Sequence, residues 1–136
     1  MSVVAELILT ENDGSLSFGN YELSAKAKLD NYEVAGDLYK VKTYCDITKL
    51  EKNGMFLYES VPGTTARGFA VKEDGLDFSV EGAKDCQLTV GLVENEEYTI
   101  YVDNEAIGQM KTNMSGKLSI SLELEAGVAK KVQIRK

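Results

Sequence analysis

The sequence predicts an all-β protein built as two antiparallel sheets packed face to face. Three observations carry that reading: strict apolar–polar alternation through the second half, turn residues at regular intervals, and no run with repeated i, i+3, i+4 apolar spacing. Strands that alternate in this way bury one face and leave the other in water.

The alternation is cleanest late in the chain. Leu76, Phe78 and Val80 alternate with Asp77, Ser79 and Glu81, and Cys86, Leu88, Val90 and Leu92 share one face of the next run. Tyr98, Ile100 and Val102 repeat the pattern, as do Leu118, Ile120, Leu122 and Leu124, then Val132 and Ile134. The expected core is Phe69, Val71, Leu76, Phe78, Val80, Leu88, Val90, Leu92, Ile100, Val102, Leu118, Ile120, Leu122, Val132 and Ile134. The punctuation agrees. Glu73-Asp74-Gly75 joins the strand from Phe69 to the strand from Leu76, and Asp103-Asn104-Glu105 leads into Ala106–Thr112. Asn113–Gly116 and Ala126-Gly127 close the last two turns.

Earlier, Val3–Leu9, Ser15–Phe18, Asn31–Val34, Leu38–Tyr44 and Met55–Tyr58 read as strands, with Asn12-Asp13-Gly14, Gly36 and Asn53-Gly54 as turns. Asp46–Lys52 lacks a helical repeat and reads as a loop or edge. Val61–Thr65 holds the single proline and marks a crossover between sheets. No linker divides the chain, so residues 1–136 form one domain. The spacing of strands and turns fits a two-sheet antiparallel sandwich of Ig-like type with about ten short strands.

Composition removes several classes of function. The chain has no histidine or tryptophan, and its arginines are Arg67 and Arg135. Imidazole bases, Ser-His and Cys-His pairs and most transition-metal sites are therefore excluded. A net charge of −7 opposes binding to nucleic acid or to an anionic membrane. The N-terminus has no basic segment, and Glu6 interrupts its apolar run, so the chain reads as cytoplasmic. Cys45 and Cys86 are expected as free thiols, Cys86 in the core, although the sequence leaves a disulfide between them open. No cofactor or metal is expected.

The candidate contact residues are Tyr39, Tyr44, Tyr58, Arg67 and Tyr101. Seven tyrosines are present, and Tyr21, Tyr32, Tyr39, Tyr44 and Tyr58 fall in the first half. Several on one sheet face would make a platform for sugar rings or a protein, since tyrosine joins a flat apolar body to a polar tip. Aromatic β-propensity also accounts for them as ordinary strand residues. Tyr101 projects outward beside Thr99 and Asp103. Arg67, in a Gly/Thr-rich stretch, would grip a carboxylate or simply decorate an exposed loop. Glu94-Asn95-Glu96-Glu97 with Asp103 and Glu105 offers oxygen atoms to calcium but lacks the spacing of a calcium loop. A carboxylate pair for glycoside hydrolysis cannot be picked from 22 acids.

Val61-Pro62-Gly63-Thr64, Gly75–Gly82, Tyr98-Thr99-Ile100-Tyr101-Val102-Asp103 and Gly116-Lys117-Leu118-Ser119 together resemble Ig-like β-sandwich modules appended to bacterial polysaccharide lyases and glycoside hydrolases. The whole chain is also similar to small stand-alone bacterial proteins that carry an endosialidase-type name. The first resemblance implies a binding or packing role, and the second implies hydrolysis of polysialic acid. The expected function is a non-catalytic module that binds a protein partner or a glycan and self-associates through sheet edges. A small carbohydrate-active hydrolase and a structural protein of a phage or cell-surface system are the alternatives.

Overall fold

The computed structural model describes residues 3–136. It is a two-sheet antiparallel sandwich of thirteen strands with no helix among the described residues. The strands are β1 (Ile8–Thr10), β2 (Leu16–Phe18), β3 (Ala27–Val34), β4 (Asp37–Tyr44), β5 (Ile47–Lys52), β6 (Met55–Val61) and β7 (Thr65–Lys72). They continue as β8 (Gly75–Glu81), β9 (Cys86–Gly91), β10 (Glu97–Val102), β11 (Glu105–Lys111), β12 (Lys117–Leu122) and β13 (Lys130–Arg135). One sheet has the order β1-β2-β7-β8-β13-β10-β11, and the other β12-β9-β6-β5-β4-β3.

Local chemistry sets the hairpins. Ala35-Gly36, Asn53-Gly54 and Asp103-Asn104 each place both turn residues at positive φ, between 51° and 87°. Two-residue turns of this hand match the twist of the strands they join. The chain changes sheet between β6 and β7 through Val61–Thr65, as the proline suggested, and Val61-Pro62 is cis.

The core lies between the sheets. Phe18, Phe69 and Phe78 from one sheet surround Tyr58 from the other, with edge-on ring contacts at 4.9–6.0 Å between Tyr58 and each of them. Leu76, Leu88, Val90, Ile100, Val132 and Ile134 are among the fully buried residues around them. Each such side chain contributes about 1.5–3 kcal/mol when buried.

The two ends of the sandwich differ. At one end the β4–β5 turn, the β6–β7 crossover and the Gly19–Tyr21 segment meet over a buried hydroxyl cluster. Thr48 Oγ1 donates to the Thr64 carbonyl at 2.9 Å and accepts the Thr64 N–H at 3.0 Å. Its single proton is thus committed, so Thr43 donates in the 2.8 Å Thr43–Thr48 contact while accepting the Asn20 N–H. Tyr58 and Ser60 reach Thr64 Oγ1 at 2.6 and 2.7 Å. Buried hydroxyls satisfied in this way rigidify the end they occupy.

Several elements differ from the sequence reading. Asp46–Lys52 is neither loop nor edge: β5 is an inner strand between β4 and β6. Its inward residues are Thr48 and Leu50, and the hydroxyl cluster lets a threonine take a core position. Val3–Leu9 is not one strand. Val3 and Val4 are buried outside any strand, Leu7 has φ 74°, and β1 begins only at Ile8. Val71 was expected in the core but is 59% exposed: its cross-strand partner Leu76 and, beyond it, Ile134 are buried, yet Val71 itself borders a cleft at the opposite end of the sandwich.

Candidate functional site

That opposite end is open. The β5–β6 and β7–β8 turns and the start of β10 bound a cleft of about 470 Å³ between the sheets. Phe56, Leu57, Leu92 and Tyr98 form its apolar wall, with Met55, Val71 and Val93 at the mouth. Met55 is 72% exposed, Val71 59% and Val93 51%. A second cleft of about 520 Å³ adjoins it, shares Lys52, Leu57, Val71 and Lys72, and continues along Leu16, Val34, Tyr39 and Phe69. Apolar residues clustered at a concave surface mark contact sites more often than scattered single ones do.

Methionine placement points the same way. Met55, Met110 and Met114 are all exposed. Met110 stands opposite Tyr98 in the β10–β11 ladder, and Met114 precedes Ser115, which lines the first cleft. Unbranched, polarizable side chains adapt to varied partners. Beyond them β11 forms one edge of its sheet, and every one of its seven residues is exposed.

The acidic loop at Glu94–Glu97 has a structural organiser. Thr112 Oγ1 donates to the Val93 carbonyl at 2.6 Å and accepts the Glu96 N–H at 2.9 Å. Among the described residues no group of three or more His, Cys, Asp or Glu side chains is arranged to hold a metal ion.

The predicted contact residues scatter. Tyr58 cannot serve as a contact residue: it is fully buried, and burial pushes its hydroxyl pKa well above the usual tyrosine value. Tyr39 is half-buried on the inner face of β4 and lines the second cleft. Its cross-strand partner Tyr32 bonds Thr10 Oγ1 at 2.9 Å, tying the outer strands of the two sheets together. Tyr44 lies on the opposite face of β4, with Lys26 Nζ 5.9 Å from its ring centre. Tyr101 belongs to the other sheet, between Ala106 and Gln133. Arg67 lies on β7 rather than in a loop, where it donates to the Val3 carbonyl at 3.1 Å and faces Glu11 at 3.8 Å. The carboxylate it grips is thus one of the chain's own.

Other reactive groups are divided between surface and interior. Glu81 is buried and accepts hydrogen bonds from the Tyr21 hydroxyl at 2.6 Å and the Gly127 N–H at 2.9 Å. Both cysteines are free: Cys45 is exposed, while burial, aided by Asp85, pushes the Cys86 thiol up to about 11.

Of the five candidates, only Tyr39 reaches the open end. Sequence reasoning missed Met55, Val71, Val93 and Met114 because alternation reports which face a residue takes, not whether anything packs over it. No protein-family profile, curated protein or solved structure matches the chain.

Proposed function

We propose that the chain is a non-catalytic interaction module that holds a protein partner at the open end of its sandwich. The observation that carries this reading is the apolar mouth formed by Met55, Val71 and Val93 over a cleft walled by Phe56, Leu57, Leu92 and Tyr98. A protein side chain or hydrophobic loop matches that lining. The separation of Tyr39 and Tyr44 onto opposite faces supports a protein partner over a glycan, which would stack on a coplanar pair. A binding role also agrees with the likeness to Ig-like accessory modules, by analogy of fold alone.

The test compares the protein with its Val71→Lys/Val93→Lys variant as bait in clarified host lysate. Both positions are exposed, so the variant keeps its melting temperature. The expected result is one protein retained in stoichiometric amount by the parent and lost from the variant. Identical retention by both would contradict the proposal.

A second reading, self-association through β11, is favoured by the complete exposure of that edge strand. Light scattering separates the two readings. A dimer that Ile107→Lys dissociates would assign the β11 edge to a second copy.

A further inference from the structure

The outer face of β3, β4 and β5 gathers lysines in a chain whose net charge is −7. Lys28 stands directly opposite Lys42, and Lys42 directly opposite Lys49, so one register row carries three ammonium groups. Neighbouring strands lie about 4.8 Å apart, and like charges directly opposite one another destabilise a sheet. Lys40 occupies the adjacent row, and the four lysines with Glu51 line a depression of about 140 Å³.

Their charge is only partly met within the chain. Glu51 pairs with Lys49 at 3.4 Å. Among the described residues, Lys28, Lys40 and Lys42 have no carboxylate oxygen within 4.0 Å. Glu51 also stands directly opposite Lys40, and the other nearby acids sit at the border: Glu59 opposite Lys49, and Asp30, which lines a neighbouring hollow with Lys40. Lys26, over Tyr44, adds a further positive charge toward the other end of the face.

We propose that Lys28, Lys40, Lys42 and Lys49 form a binding site for a tetrahedral oxyanion, a phosphate or sulfate monoester group. Each ammonium offers three rotatable donors on a flexible stem. Several of them around one small depression match the three terminal oxygens of such a group better than the two of a carboxylate. A single compact anion answers to the local field within a Debye length. An extended nucleic acid would also meet the repulsion of the whole acidic molecule. The site lies on the outer face of its sheet and does not depend on the inter-sheet cleft.

The test is a titration at constant ionic strength with inorganic phosphate, sulfate and acetate, read by calorimetry and by amide shifts along β3–β5. Phosphate or sulfate should bind with defined stoichiometry, and acetate far more weakly. The Lys28→Gln/Lys42→Gln variant should bind about tenfold less tightly, since it removes charge-assisted hydrogen bonds. Without anion it should melt no lower than the parent, because the substitution relieves cross-strand repulsion. A sugar phosphate and a sulfated sugar, titrated in parallel, identify the source of the group: phosphate-ester binding weakens as the pH drops below about 6, while sulfate-ester binding does not. Equal binding of acetate, or undiminished binding by the variant, would overturn the proposal.

Discussion

The Tyr58 hydroxyl lies 2.6 Å from Thr64 Oγ1, which joins the ring at the centre of the aromatic cluster to the sheet-to-sheet crossover. Thr64 is tied in turn to Thr48 and Ser60. This relationship closes one end of the sandwich, while at the opposite end Met55, Val71 and Val93 stand exposed around a cleft. Tyr58→Phe should therefore destabilise the fold by about 1–2 kcal/mol while leaving partner binding intact. Urea unfolding and a binding assay on the same variant check both halves of that expectation.

Stability should fall in alkali. Burial raises the hydroxyl of Tyr58 and the thiol of Cys86, the latter to about 11. Both are acids whose neutral form the fold favours, so their contribution is fully present below the unfolded values of about 8.5 for Cys and 10 for Tyr. It is lost as pH rises through those values toward the folded ones. Chemical unfolding at neutral pH and at steps above about 9 measures this directly. A flat profile would show that neither group is held as the structure places it.

The thiols should differ in reactivity. Exposed Cys45 should react at once with a thiol reagent, and Cys86 only after unfolding. Mass spectrometry of the labelled protein reads the site, and prompt labelling of Cys86 would contradict its placement in β9.

Truncating the core tests the strand assignment. Phe78 packs against Tyr58 and Phe69, and Ile120 is buried in β12. Phe78→Ala and Ile120→Ala should each cost on the order of 2–5 kcal/mol, seen as a clear fall in melting temperature. Unchanged melting at both sites would refute the fold.

Much of the second half was legible in its alternation, because the inward residues from Leu76 to Ile134 are uniformly apolar and each turn carries its own chemistry. Elsewhere the structure depends on partners distant in the chain. Thr48 conceals β5 because a hydroxyl occupies a core position that only Thr43 and Thr64 make tolerable. Leu7 adopts positive φ, which no leucine advertises. Val71 carries the pattern of a core residue yet borders the open cleft. The Lys28–Lys42–Lys49 row exists only through the pairing register of three strands. Tyrosine count suggested a platform, but strand parity sent Tyr39 inward and Tyr44 outward.

The most direct test of the open end as the contact surface is photo-crosslinking from a single introduced residue. A photoreactive amino acid at Val71 is compared in host lysate with one at Val128, which is also exposed but lies outside both clefts. The account predicts one discrete protein adduct from position 71 and none from position 128. The same adducts from both positions, or none from position 71 while a partner still co-purifies, would place the contact surface elsewhere.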